Sequence, residues 1–517
     1  MSLGSVRRPL RAARAPYDIV ECVEQRSSST AGGDAAESIA RNTGFAFAVR
    51  VVSAAFTALL TLYLVRALDP AGYGLFGLAA SVAALLSLPA DCGVSPSAAR
   101  LVAERRQDRG AAAGVVAAAL RLKLWIAGTV SVVLFATAGL FADAFGEPAL
   151  TWVLRGFSVS MLAESTMLLL TSVFVAQART SLTLTVTLVE STMETSASIA
   201  LVLLGAGAAG AAFGRAIGYA AGVTCAVVLA VRLLGREVVA RQTEGKRWGA
   251  QILRYGGSLL IVDSAYTLFN AIDVLIIGAF LTATAVGLFS APMRLLGLLQ
   301  LPAIAIATGV SPRMAAGFAA TRDIGAFVRS LQYTAVFQVA MIPPLLVWAE
   351  PIVRVTLGPS YGGSASVLRA LTPFAFLIGF GNMLSLTANY IGQARRRVPI
   401  AIVTVIVNAV VDVILIPRIG VVGGAIGTDL AYCVYVPAHL WVCRRSLDVP
   451  LRPIAGSLLR ASVAAVAMTL VLATFGTHPR TLVDLVVGAS LAVVAYVACL
   501  AALGRLCGRD RGTILGV

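Results

Sequence analysis

The sequence predicts an all-α, polytopic membrane protein of about fourteen spanning helices, built from a duplicated half. Three observations carry that expectation. The 517 residues are 58% hydrophobic and 13% charged, with mean hydropathy +0.87, whereas a soluble domain is about 25% charged. Apolar runs of roughly twenty residues, the length a bilayer core demands of a helix, recur almost from end to end. Part of the chain is also written twice. YGLF at 73–76 opens an apolar run that closes on GVSPSAA at 93–99, and VGLF at 286–289 opens another that closes on GVSPRMA at 309–315.

The first 42 residues are Arg-, Ser-, Ala- and Gly-rich and contain no apolar run. They read as a disordered cytoplasmic tail rather than a targeting peptide, because the next apolar run is long enough to span. The spans follow near 44–65, 73–95, 118–141, 151–175, 182–204 and 211–233, an N-terminal lobe over 43–234. A basic linker covers 235–254. A C-terminal lobe over 255–443 holds spans near 256–280, 286–310, 327–349, 367–390, 398–416 and 421–443. The remainder, 444–517, holds spans near 456–475 and 482–504 and a short tail. Gly, Pro, Asp and Ser mark the turns, as in Asp69-Pro70-Ala71-Gly72. Pro89, Pro302 and Pro343-Pro344 predict kinks inside helices.

The copies keep one spacing. Arg41 and Arg254, Gly44 and Gly257, Phe56 and Phe269, and Tyr219 and Tyr432 all lie 213 positions apart. GAAGAAFG at 207–214 pairs with GVVGGAIG at 420–427 at the same offset, and Gln177-Ala178-Arg179 pairs with Gln393-Ala394-Arg395 at 216. Six spans separate the copies. An even number gives both the same orientation, so the repeats are parallel and a central cavity lies between them.

Charge sets the topology. With the tail and every second loop on one side, about 32 of the 41 Lys and Arg collect there, and about six lie opposite. The rich side is then cytoplasmic, with both termini inside. The net charge of +16 sits in these loops, so it points to topology and anionic lipid, and no nucleic acid is expected. The seven cysteines are scattered and His439 and His478 stand alone, which predicts no disulfide, no metal and no cofactor. The sequence has no GxxxxGK[ST] phosphate loop, and its outside loops are too short for a catalytic domain, so the chain does not read as an enzyme.

The stretches LYLVRALDPAGYGLF at 62–76, DCGVSPSAAR at 91–100, NYIGQARRR at 389–397 and PRIGVVGGAIG at 417–427 resemble the polysaccharide flippases. These belong to the multidrug/oligosaccharidyl-lipid/polysaccharide exporter superfamily. The resemblance covers roughly 43–445. It implies two six-helix lobes around a cavity that opens alternately to each side, plus two C-terminal helices. It further implies a polyprenyl-diphosphate-linked glycan as cargo and translocation from the cytoplasmic to the outer leaflet of a bacterial inner membrane. Membrane lipids and polysaccharide-synthesis enzymes are the partners it implies. The alternatives are a multidrug or cation exporter of the same superfamily, or a lipid II type flippase.

An ionisable residue deep in a span costs a few kcal/mol unless it faces protein, water or cargo. Arg50 in span 1 and Asp263 in span 7 lie 213 positions apart and place opposite charges at equivalent depth. Either Arg50 contacts the diphosphate while Asp263 balances it or takes a proton, or the two form a structural pair. Asp263, Tyr266, Asn270 and Asp273 share one helix face, as do Thr183, Thr187, Glu190, Glu194 and Ser198 in span 5. Each stripe either lines a wet cavity or forms a polar seam between helices. Arg215 and Arg294 are the other deep cations, and Glu164, Asn382, Asn389, Asn408 and Asp412 complete the candidate lining. The assignment is cargo binding by Arg50, Arg215, Arg294, Asn270, Asn382 and Asn389. Ion coupling falls to Asp263, Asp273, Glu190, Glu194 and Glu164.

Overall fold

The computed structural model describes residues 32–238, 245–256, 260–300, 324–476 and 482–506, and they contain no strand. The helices α1 Gly32–Ala67, α2 Asp69–Asp91, α3 Val94–Glu104, α4 Arg109–Ala144, α5 Leu150–Ala176, α6 Thr180–Leu201 and α7 Gly207–Leu234 come first. Next is α8 Gly245–Gly256, then α9 Leu260–Phe280, α10 Ala283–Leu299, α11 Gly325–Val347 and the short α12 Ala349–Thr356. Helices α13 Ser364–Ala370, α14 Thr372–Tyr390, α15 Ala394–Ile419 and α16 Val421–Leu447 follow, and α17 Leu451–Thr474 and α18 Leu482–Leu506 close the chain.

Among the described residues, ten helices are long and apolar enough to cross a membrane, or eleven if the bent pair α13–α14 is one span. About fourteen were expected. Two features account for most of the difference. The 55 residues 180–234 form one apolar stretch, but it folds back where Gly205 (φ +87°) and Gly207 (φ +54°) break the helix, so α6 and α7 pack side by side. Helix α9, 21 residues, has the length of a crossing, and α10, 17 residues, is apolar but at the short end of that range. The expected span 367–390 is bent by 49° between α13 and α14, where Pro373 opens α14.

Several expected boundaries move. Residues 32–42, read as tail, belong to α1. The linker 235–254 is not merely a connection: it contains a short turn at Arg236–Val238 and most of α8. Helix α8 buries Trp248 against α3 and α4, and the Arg105 guanidinium lies 4.7 Å from its ring centroid. Pro89 and Pro343-Pro344 lie inside α2 and α11, while Pro302 and GVSPRMA at 309–315 fall outside the described residues.

Small residues decide which helices meet. Gly210, Gly214, Gly218 and Gly222, each four apart, lie on one stripe of α7, against Leu201, Ser198, Glu194 and Glu190 of α6. A Cβ at Gly222 would stand 2.8 Å from the Glu190 Cβ, so a larger residue would part the helices. The later copy repeats the device. Gly423 rests on the backbone of Leu415 and Ile416, and Gly427 on the side chain of Asp412. The packing partners repeat too. Helix α1 packs on α6 as α9 does on α15, α6 on α7 as α15 on α16, α5 on α7 as α14 on α16, and α4 on α5 as α11 on α14. Helix α17 packs on α11, and α18 on α17.

The two sets of helices meet where α2 lies against α9 and α10. Gly74 presses on the Ala283 carbonyl and Gly287 on the Pro70 carbonyl. Gly74 and Gly287 are 213 positions apart, as are Pro70 and Ala283, so the contact is reciprocal. One turn further, Gly77 faces Ser290, its own counterpart at that offset. The glycines of YGLF and VGLF are there because a Cβ would strike a backbone carbonyl. Three polar contacts bridge the same end. The Arg66 guanidinium donates to the Thr356 and Val355 carbonyls. The Tyr361 hydroxyl donates to the Asp69 carbonyl at 2.9 Å. The Ala283 amide, in the first turn of α10, donates to Glu147 Oε1 at 2.9 Å.

Candidate functional site

Beside this seam lies a cavity of about 620 Å³. Helices α2, α3, α5 and α7 supply most of its wall, and Thr267 of α9 and Arg294 of α10 face them. It runs along α2 from Phe76 to Asp91 and on to Ser95 and Pro96 in the first turn of α3. Its walls mix Phe76, Phe157 and Met161 with Ser87, Ser160 and Ser165, and they carry four ionisable groups, Asp91, Glu164, Arg215 and Arg294.

Arg215 is the centre of a network. Its Nη2 donates to both oxygens of Glu164 at 3.2 Å and to the Tyr219 hydroxyl at 3.1 Å; its Nη1 donates to Glu194 Oε1 at 3.1 Å. The Tyr219 hydroxyl also donates to Glu164 Oε1 at 3.4 Å. The Tyr219 ring, with its centroid 4.7 Å away, packs against the guanidinium. Helices α5, α6 and α7 thus each contribute a charged group, and the glycine stripe of α7 allows Glu194 this close. Arg294 makes no hydrogen bond or ion pair among the described residues and is exposed to the cavity.

A second group at the wall escaped the sequence reading. Lys123 of α4 is fully buried; it donates to Asp91 and, at 2.8 Å, to Ser165 Oγ, and Ser95 Oγ donates to the same Asp91 oxygen at 2.6 Å. Lys123 falls inside the expected span 118–141 and lies well inside the 36-residue α4.

A third polar set is sealed between α9, α15 and α16. Asn408 Nδ2 donates to Asp273 Oδ1 at 2.7 Å and to Asp412 Oδ2 at 3.1 Å, and Thr428 Oγ1 donates to Asp273 Oδ2 at 2.7 Å. All four residues are buried, and Oδ1 of Asn408 and of Asp412 have no hydrogen-bond partner among the described residues. The expectation that Asn408 and Asp412 line the cavity is therefore corrected: both are sealed between helices and neither is among the residues lining it.

The other expected site residues are dispersed. Arg50 is exposed on α1 and is not among the residues lining the cavity. Asn270 is exposed and donates to the Tyr266 carbonyl at 2.7 Å. Asn382 is half-buried in α14, and Asn389 accepts from Arg397 at 2.6 Å. Glu190 is buried and accepts from the Ser191 hydroxyl at 2.9 Å. Asp263 belongs to α9, but its side chain lies outside the described residues. Of the two span-5 readings, the α6 stripe formed by Glu190, Glu194 and Ser198 is a seam against α7.

Residues 39–318, more than half of the chain, match the family model described as polysaccharide biosynthesis protein. The chain belongs to that family. It is a multi-pass membrane protein. It is 23% identical over 174 residues to the "Probable low-salt glycan biosynthesis flippase Agl15" of Haloferax volcanii; the match takes in 33% of this chain and 37% of the relative, about a third of that protein's length. Among solved structures, a lipid II flippase, MurJ, in an inward closed conformation superposes with TM-score 0.73 at 14% identity, over 90% of this chain and 99% of that one. An inward-facing multidrug resistance MATE family transporter of the MOP superfamily gives 0.64 at 17% identity, over 78% and 95%. At these identities the likeness establishes the fold.

Proposed function

We propose that this protein is a flippase that moves a polyprenyl-diphosphate-linked glycan from the cytoplasmic to the outer leaflet by alternating access. The single observation that carries the reading is the charged cavity between two sets of helices, in which Arg294 makes no ion pair among the described residues. A diphosphate needs cations to leave water, and a guanidinium matches phosphate oxygens in shape and charge. The serine hydroxyls on α2 and α5 suit sugar hydroxyls. Phe76 and Phe157 offer apolar faces for the rings.

The recurring packing partners and the reciprocal Gly74–Gly287 contact support two lobes related as parallel repeats. If the Arg-rich side is cytoplasmic, the end bridged by Arg66, Glu147 and Tyr361 faces outward, and the cavity extends toward the cytoplasm. Asp273 and Asp412 are enclosed together with no cation among the described residues. A proton or a monovalent cation would offset their charge, which supports this set as the coupling site.

Vesicles reconstituted with the full chain test the reading. Wild-type protein should translocate a labelled polyprenyl-diphosphate sugar, and Arg294→Ala should lower the rate at least tenfold, while Arg50→Ala should change it less. Failure to move any member of a panel of lipid-linked glycans would overturn it. One observation favours a second reading, an exporter of cationic drugs: Glu164 is open to the cavity. Cation-stimulated efflux in the same vesicles would mark that outcome.

A further inference from the structure

Two carboxylates hold Arg215, and they differ in how freely they can leave. Glu194 is 13% exposed, and its backbone packs against Gly218. Glu164 is 44% exposed and lines the cavity. The guanidinium itself is confined, with Tyr219 4.7 Å from it on α7 and Phe157 5.8 Å away on α5. The parts therefore have unequal mobility: a fixed cation, a fixed rear carboxylate and a front carboxylate that can swing into open space. With its two carboxylates ionised, the set carries one net negative charge, so as it stands this wall repels an anion.

We propose that Glu164 is an exchangeable counter-ion, displaced from Arg215 Nη2 by the phosphate oxygens of the cargo while Glu194 stays in place. This deepens the flippase reading and rests on it. A carboxylate and a phosphate offer a guanidinium the same pair of acceptor oxygens. Glu164 occupies that pair of positions with both of its oxygens, at 3.2 Å. Because it is tethered, it competes at high effective concentration. A monoanion gains too little to win that exchange. A diphosphate carries more charge, and Arg294 lines the same cavity, so the diphosphate gains more. Glu164 thereby acts as a specificity-determining residue: it sets a charge threshold for entry and keeps Arg215 satisfied when the cavity is empty.

Binding by the full-length protein in nanodiscs tests this, with undecaprenyl-monophosphate-linked glucose, a phosphodiester with one negative charge, and undecaprenyl-diphosphate-linked glucose, with two, as the monophosphate and diphosphate probes. Wild type should prefer the diphosphate. Glu164→Gln should bind the monophosphate about tenfold more tightly than wild type, as expected when a guanidinium loses a competing charged acceptor, and the preference should shrink. Glu164→Asp, which keeps the charge, should retain the preference. A thermal melt within a few degrees of wild type shows that each variant is folded. If wild type binds and Glu164→Gln leaves both affinities unchanged, the exchange is overturned and the flippase reading stands. If neither wild type nor variant binds either lipid, the flippase reading itself is overturned.

Discussion

The network around Arg215 and the cluster around Asp273 share two equivalent helices, α6 and α7 in one repeat and α15 and α16 in the other, take their third member from non-equivalent helices, α5 and α9, and have opposite characters. Arg215 and Thr428 are 213 positions apart, and each is the α7 or α16 member of its polar set. In the first repeat the set opens on the cavity and carries its own cation. In the second it is enclosed, with two acids, an amide and a hydroxyl. The same pair of helices thus carries a wet set in one half and a dry set in the other. A wet set can exchange partners with a large cargo, whereas a dry one can take only something the size of a proton or a bare ion.

The sharpest way to break this contrast is to remove one member from each. Asn408→Leu would leave Asp273 and Asp412 buried without their shared donor. The loss should be about 2 kcal/mol, the scale of a buried acceptor left without its donor. Arg215→Met also strands two carboxylates, but Glu164 is 44% exposed and can turn to water. Its cost should be nearer 1 kcal/mol, in line with partly exposed pairs. Thermal unfolding of the purified variants measures both. Equal losses would mean that the first set is as dry as the second.

A similar effect should come from the seam, and here the halves should behave alike. Gly74→Ala and Gly287→Ala each drive a methyl toward the carbonyl of the opposite helix, Ala283 in one case and Pro70 in the other. Each should cost about 1–3 kcal/mol of overpacking, and each should shift the protein toward whatever state separates α2 from α10. Proteolysis or labelling at the end of the molecule that carries Glu147 would report the opening. A large effect from one glycine and none from the other would remove the reciprocity.

Much of this contrast could be read from the sequence, and the reasons are local. The YGLF and VGLF glycines, the four-residue steps of Gly210 to Gly222, and the deep position of Arg215 are properties of spacing along one helix. What spacing could not convey was which neighbour each stripe meets. The face of α6 carrying Glu190, Glu194 and Ser198 looks like a cavity lining until α7 is laid against it. Lys123 went unnoticed because its partner, Asp91, lies 32 residues away on another helix. Asp273 and Asp412 were candidates in separate spans, and only the packing of α9 on α15 joined them. Arg50 was paired with Asp263 through the repeat offset, which fixes depth but not the direction a side chain faces.

The smallest expected effect sharpens the contrast at a single pair of residues. Tyr219 and Tyr432 are counterparts at the common offset. The Tyr219 hydroxyl is a member of the Arg215 network, within hydrogen-bonding distance of both Arg215 and Glu164. Tyr432 instead uses its ring: it is buried among Phe269, Phe374 and Tyr435, with the Phe374 centroid at 4.8 Å and an edge-to-face angle of 90°. Removing only the oxygen should therefore separate them. Tyr219→Phe should cost about 1 kcal/mol, one hydrogen-bonded hydroxyl, and should loosen Glu164 enough to raise monophosphate binding slightly. Tyr432→Phe should be neutral in stability and binding, because the ring stays. If the two substitutions change unfolding temperature and binding by the same amount, then the hydroxyl of Tyr219 is not a member of a working network, and the contrast between the two repeats fails at this pair of residues.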